Sequence, residues 1–175
     1  GNLSKALDIF NEQVAVFAKE KIALGALLCW YYIAKLTLVT EGSDKALDIA
    51  QKALDVAKNP KISNYYFMVL YKKLIAEIKG DTDASKMYIE KALMIVKQYD
   101  MKILKVSLYQ LYAKYLEEMV NKKPQNKDTY AQNAMAVYKK ALTLITELDI
   151  PVIGAEIEKN HASFKAFCQL NNIKI

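Results

Sequence analysis

The fold is decided by the stretch Asp44-Lys-Ala-Leu-Asp-Ile-Ala-Gln-Lys-Ala-Leu-Asp-Val-Ala57. Its apolar residues recur every three or four positions, and its charged residues fall on the opposite face, which is typical of an amphipathic helix. The apolar face consists mainly of small residues, which let a neighbouring helix approach closely. Two later segments, 83–96 and 130–145, repeat the pattern. The chain therefore contains the same kind of helix three times.

Each of these three helices follows another apolar, aromatic-rich helical stretch. A repeated pair of helices cannot bury its apolar faces alone, so successive pairs stack into a solenoid. We therefore expect an all-α fold, an α-solenoid of antiparallel helix pairs. The predicted helices are 3–20, 22–41, 44–58, 62–79, 83–98, 101–121, 128–148 and 152–170.

The predicted organisation is a single helical-repeat domain over residues 1–175. It begins with a half repeat (1–20), and the parts that follow are three repeats and a terminal helix: 22–58, 62–98, 101–148 and 152–170. Ala53 and Ala92 are 39 residues apart, whereas Ala92 and Ala141 are 49 residues apart. The longer spacing predicts an inserted polar loop at 121–128.

The composition is that of an ordinary globular protein, with 53% hydrophobic and 25% charged residues. Five glycines, three prolines and no apolar–polar alternation argue against strands. The net charge of +6 comes from 25 lysines, since the chain has no arginine. Lysine lacks the planar fork that grips phosphates and base edges, so we expect no direct nucleic-acid partner. General electrostatics could still attract acidic peptides or membrane surfaces.

Residues that carry chemistry are few. Cys29, Cys168 and the single histidine, His161, lack metal-ligand spacing, so we expect no metal site and no cofactor. His161 falls on an apolar helical stripe with Ile157 and Phe164, which predicts a half-buried packing residue. We find no phosphate-binding loop, nucleophile elbow or carboxylate pair on one helix face, so we expect no catalytic residues and no enzyme.

The sequence also predicts the cellular location of the protein. The apolar run 22–34 spans 13 residues, short of the roughly 20 that a bilayer needs, and predicts a buried helix without a membrane partner. Free thiols among apolar residues and the absence of a leader fit a reducing cytoplasm. The chain begins with Gly1 instead of Met, which favours a fragment of a larger protein.

One helix pair carries the motif of a known repeat family. Trp30 is followed three residues later by the large–small pair Ile33-Ala34, and the next helix has spaced alanines at Ala46, Ala50 and Ala53. The chain resembles the tetratricopeptide repeat (TPR) family. Looser matches in the later pairs are Met68, Tyr71-Lys72, Ser85, Ile89 and Ala92, then Tyr109, Tyr112-Ala113, Ala134, Tyr138 and Ala141. The period near 39 is similar to that of sensor or scaffold regions in bacterial maltose-regulator-type transcription activators and cyclase- or ATPase-linked regulators.

The resemblance implies a right-handed superhelix of about eight helices, in which the first helices of the pairs line a concave ligand-binding face. The binding residues predicted on this face are Leu28, Tyr31, Lys35, Tyr66, Val69, Lys73, Gln110 and Lys114. Lys35, Lys73 and Lys114 would form a column of cations, and Tyr31 and Tyr66 would be exposed contacts. The other interpretation of this lysine column is a solvated surface without a function.

Two classes of function follow from this pattern. One is a non-enzymatic scaffold module of a larger regulatory or signalling protein that binds a protein or peptide. If the lysine column takes part in binding, this partner is acidic. The alternative is a domain of a transcription regulator or cyclase that senses a small molecule or signalling peptide. A deep apolar cavity would favour the sensor, and an open lysine-edged groove the peptide binder. Homo-oligomers through the solenoid ends are a further option.

Overall fold

A computed structural model describes residues 2–59 and 65–175, and all regular structure in those ranges is helical. The elements are α1 (Leu3–Lys19), α2 (Ala23–Thr40), α3 (Ser43–Ala57), α4 (Tyr65–Ile78), α5 (Thr82–Gln98), α6 (Lys102–Lys122), a 3₁₀ turn (Pro124–Asn126), α7 (Lys127–Leu148) and α8 (Pro151–Leu170). The all-α prediction is confirmed. The predicted start of the fourth helix at residue 62 lies outside the described residues.

The chain divides into two compact units, Gly1–Ala92 and Leu93–Ile175, with α5 shared between them. In the N-terminal unit, α1 packs on α2, α2 on α3 and α3 on α4, and α2 also contacts α4. In the C-terminal unit, α7 packs against both α6 and α8. Sequential neighbours thus contact one another, as in a solenoid. The single domain predicted over 1–175 stays a prediction.

Alanines at helical spacing allow this close packing. In α3, Ala46, Ala50, Ala53 and Ala57 are all buried, which confirms the small apolar face predicted for this helix. The alanines of α7 at 131, 134 and 141 are buried as well. Because a methyl side chain leaves room for the adjacent helix, large side chains on that neighbour can be enclosed completely.

The segment 121–128 differs from the predicted polar loop. Helix α6 continues to Lys122, and only Lys123 and the single 3₁₀ turn separate it from α7. The extra residues are taken up by helix length, since α6 has 21 residues and α7 has 22. These two long helices supply two of the three walls of the cleft described below.

Helix α2 is long and apolar enough to cross a bilayer by length and composition alone, with a mean hydropathy of 1.5 over 18 residues. The core helices of soluble proteins meet the same criterion. In this fold α2 contacts α1, α3 and α4. Its buried residues are Ala26, Leu27, Cys29, Tyr31, Ile33, Ala34 and Thr37. A central position among three helices accounts for its apolar sequence.

Candidate functional site

The two tyrosines predicted as exposed contacts are buried. Tyr31 is 5% exposed and Tyr66 is 7% exposed, so that prediction is wrong. The reason is that α2 is covered both by α3 and by α4. The Tyr31 ring lies edge-on to Tyr71 of α4, with ring centroids 6.1 Å apart. Trp30, the first residue of the TPR-like motif, is half-buried.

The lysine column also fails at its second position. The Lys73 side chain is 4% exposed, and its ammonium pairs with the Glu77 carboxylate one turn further along α4. This neutralisation lets a lysine occupy a buried position that it rarely takes unpaired. Val69, on the same helix, is buried too. Neither side chain is available to a ligand on the surface.

Two predicted residues of the N-terminal unit do reach solvent. Leu28 is 45% exposed, and Lys35 is half-buried with its ammonium 5.8 Å from the centroid of the Tyr31 ring. A cation over an aromatic face is held by electrostatic attraction. Lys35 thus lies over the ring of Tyr31, which was predicted to lie beside it on the binding face.

The last two predicted residues, Gln110 and Lys114, lie on α6 in the C-terminal unit. Gln110 is half-buried and Lys114 is exposed. Lys114 lines an open cleft of about 320 Å³, called here the α6–α8 cleft. The residues lining it are Lys114, Glu117 and Asn121 of α6, Tyr138 of α7, and Asn160, Ser163, Phe164 and Phe167 of α8.

Helical spacing brings these side chains together. The α6 residues are separated by three and four positions and so share one face of that helix. Asn160, Ser163 and Phe167 are related in the same way on α8. Because α6 and α8 both pack on α7, their two polar faces border the same cleft, with Tyr138 of α7 between them.

The centre of the cleft is a hydrogen-bonded acid. The Tyr138 hydroxyl donates to Glu117 Oε1 at 2.7 Å. Burial raises the pKa of the Glu117 carboxyl, against the opposing effects of the Tyr138 hydrogen bond and the Lys114 charge. Burial and the same hydrogen bond raise the pKa of Tyr138, which keeps its hydroxyl a donor. The charged form of Glu117 is therefore stabilised by fewer partners than a solvated carboxylate has.

Two buried nitrogens near this acid have no partner. Asn160 Nδ2 and His161 Nε2 are enclosed and make no hydrogen bond. The His161 ring centroid lies 5.7 Å from that of Tyr138. Burial, Lys139 and Lys165 lower the pKa of His161, so its imidazole is neutral at pH 7. The half-buried position predicted for His161 is confirmed.

The thiol nearest to the cleft is not set up for nucleophilic chemistry. Burial, and secondarily the Glu117 charge, raise the pKa of the Cys168 thiol. Burial also raises the pKa of the Cys29 thiol. A thiol needs its thiolate form to attack or to bind metal, so both cysteines are packing residues. Among the described residues, no cluster of three His, Cys, Asp or Glu side chains could hold a metal ion.

Replacing Glu117 by glutamine should change how stability depends on pH. Because its folded-state pKa is raised, the stability that protonated Glu117 provides is complete below its unfolded pKa of about 4.3 and is lost as the pH rises through the folded value. We expect the free energy of unfolding of the wild type to fall relative to that of Glu117→Gln as the pH rises from about 4.3 through the raised folded-state pKa of Glu117. Urea denaturation across this range measures the difference. Glu147→Gln, at an exposed position of α7, is the control, and parallel curves for wild type and Glu117→Gln would contradict the expectation.

A second cleft lies on the N-terminal unit. It has a volume of about 280 Å³ and is lined by Asn11, Trp30, Ile33, Asp48, Ile49, Lys52, Ala53 and Val56. Its surface is mainly apolar, and the Lys52 ammonium and the Asp48 carboxylate at its edge pair with each other at 2.7 Å. We call it the Trp30 cleft.

Of the residues predicted for the concave binding face, Lys114 alone lines the α6–α8 cleft, which the sequence did not predict. The partners on α6 are visible as a periodic polar set, but that signal resembles any solvated helix face. Asn160 and Ser163 interrupt the apolar face of α8, which could have drawn attention to them. The chain matches no protein-family model, and comparison with curated proteins found no match.

Proposed function

We propose that this chain is a non-enzymatic, TPR-like helical-repeat module that binds an extended acidic segment of a cytoplasmic protein partner in the α6–α8 cleft. The observation that carries this proposal is a pair of donors at one cleft: the exposed Lys114 ammonium and the enclosed Asn160 amide nitrogen, which makes no hydrogen bond. Both border a concave surface that is large enough for several side chains.

The chemistry of the lining suits a peptide. Donors on Lys114, Asn121, Asn160 and Ser163 can meet the carboxylates and main-chain carbonyl oxygens of an extended segment. Phe164 and Phe167 lie nearly parallel with centroids 6.1 Å apart and offer apolar surface beside these donors. A few polar groups that fix orientation next to an aromatic wall are typical of recognition sites.

The same geometry argues against catalysis. The Glu117 carboxylate is engaged by the Tyr138 hydroxyl, and the closest thiol is held in its protonated form. His161 is enclosed beside Tyr138 instead of being paired with a nucleophile. Nucleophilic catalysis requires a nucleophile and a base within hydrogen-bond reach of each other. Binding is therefore the better supported activity.

Peptide selection tests this proposal. Random phage-displayed peptides selected on the wild-type protein should be enriched in Asp and Glu, and Lys114→Glu should weaken their binding by about tenfold or more, since it removes a charge-assisted hydrogen bond. Lys140→Glu is the matched control because it makes the same charge change on the exposed face of α7. Equal weakening by both variants, or selection of peptides without acidic residues, would contradict the proposal.

A second candidate function rests on the Trp30 cleft. Its apolar lining fits a small apolar molecule and therefore the sensor alternative, although about 280 Å³ is just below the usual range for ligand pockets, about 300–1,000 Å³. Trp30 is the one tryptophan of the chain, so its fluorescence reports on this cleft. A ligand that shifts Trp30 emission and binds Lys114→Glu as tightly as wild type would favour the sensor.

A further inference from the structure

We propose that the segment bound in the α6–α8 cleft is bipolar, with an acidic side chain that meets Lys114 and Asn160 and a lysine or arginine side chain that meets Glu117. This inference rests on the proposed function and names the chemistry of its ligand. The lysines of the protein alone would predict an acidic partner, and the present proposal adds a basic side chain to that partner.

Lys114 and Glu117 are three positions apart on α6, and both line the α6–α8 cleft. Within the described ranges, several lysines pair with carboxylates three or four positions away on one helix or next to its end. Lys58 and Asp55, for example, are three positions apart and pair at 2.8 Å. In the described parts of the chain, Lys114 and Glu117 share this separation but form no ion pair. A cation and a carboxylate thus line one cleft side by side without a direct ion pair between them, although the Lys114 charge acts on the Glu117 carboxyl.

The Glu117 carboxylate has few partners for a partly buried charged group. Glu117 is half-buried and accepts one hydrogen bond, from Tyr138. The adjacent Glu118 pairs with Lys122 at 3.6 Å, so this lysine is engaged elsewhere. A partly buried carboxylate gains most from a cation brought to it, because water solvates it poorly.

The remaining lining can accept the stem of a basic side chain. The half-buried ring of Phe167, stacked on the buried Phe164, borders the same cleft and can attract an ammonium or guanidinium group. The neutral His161 adds no positive charge. A purely acidic segment would place its carboxylates against Glu117, which is a repulsive juxtaposition.

Four synthetic peptides test the bipolar ligand. All four have the same length and a central phenylalanine flanked by two variable residues. The flanking residues are glutamate and lysine in the first peptide, glutamate and glutamine in the second, glutamine and lysine in the third, and two glutamines in the fourth. Fluorescence anisotropy should show the glutamate–lysine peptide binding wild type about tenfold more tightly than the glutamate–glutamine peptide. Glu117→Gln should reduce this preference to less than about twofold. Glu118→Gln, whose circular dichroism and preference should match wild type, is the control.

The outcomes separate the two proposals. If the glutamate–glutamine peptide binds wild type as tightly as the mixed peptide, and Lys114→Glu weakens both, the bipolar inference fails and acidic-peptide binding stands. A mixed-peptide preference that persists in folded Glu117→Gln also overturns the inference, because Glu117 is then not its source. If no peptide binds and library selection yields no binder, both proposals fail.

Discussion

Replacing Tyr71 by alanine is expected to lower the free energy of unfolding by about 3–5 kcal/mol, the usual cost of removing a large aromatic side chain from a packed core. Tyr71 is fully enclosed in the N-terminal unit. Its ring contacts Tyr31 of α2, and its hydroxyl donates to the Leu27 carbonyl oxygen at 2.5 Å. The residue therefore joins the first helices of two successive pairs. Urea denaturation followed by Trp30 fluorescence measures the loss, since Trp30 lies on α2.

Two control variants separate packing from hydrogen bonding at this position. Tyr71→Phe keeps the ring and removes one hydroxyl, so it should cost only about 1 kcal/mol. Val39→Ala shortens an exposed side chain of α2 and should stay within about 0.5 kcal/mol of wild type. A loss below about 1 kcal/mol for Tyr71→Ala would mean that α2 and α4 do not share the packed interface described above.

The buried ion pair of α4 should respond asymmetrically to mutation. Glu77→Ala leaves the enclosed Lys73 ammonium without its carboxylate and should cost about 3 kcal/mol, the lower end of the range for breaking a buried pair, because Glu77 is 33% exposed. Lys73→Met replaces the buried cation by an apolar chain of similar size, and Glu77 can turn to water. It should therefore change the free energy of unfolding by less than about 1 kcal/mol.

Chemical denaturation of the two variants checks this asymmetry. The exposed pair of Lys52 and Asp48 supplies the control, since Asp48→Ala should cost less than about 1 kcal/mol there. Similar small losses for Glu77→Ala and Asp48→Ala would contradict the buried position of Lys73. A large loss for Lys73→Met would instead show that the cation itself stabilises α4.

The helices could be predicted from the sequence because their signals are local. The alternation of small apolar and charged residues in α3 fixes both its period and its buried face. Wherever a predicted boundary falls on described residues, it lies within one residue of the observed end. The 121–128 segment was an exception, since polar residues and a proline are compatible both with a loop and with a helix start.

The binding face was harder to predict, because α2 and α4 are covered on more than one side. Hydrophobic periodicity distinguishes an exposed helix face from a buried one, but it does not show which of two apolar faces is buried more deeply. For this reason Tyr31 was predicted to be exposed, although it is more deeply buried than its neighbour Trp30. The burial of Lys73 depends on Glu77 four positions later, a spacing that the sequence does show.

The α6–α8 cleft depends on tertiary structure. Glu117 and Asn160 are 43 positions apart in the sequence, and they border one cleft only because α6 and α8 pack on the same helix. Among the eight residues predicted for a binding face, Lys114 alone lines it. Lys114 lies at this cleft through helix packing that the sequence pattern does not reveal.

The most direct test of the account is to locate a bound peptide. An acidic peptide selected on the wild-type protein, labelled with a nitroxide and added to isotope-labelled protein, broadens the amide signals of the residues that it approaches. We expect broadening on the facing turns of α6 and α8, around Lys114, Asn121, Asn160 and Ser163. Broadening around Trp30 and Ile49 instead, or none at saturating peptide, would contradict the claim that the α6–α8 cleft is the binding site.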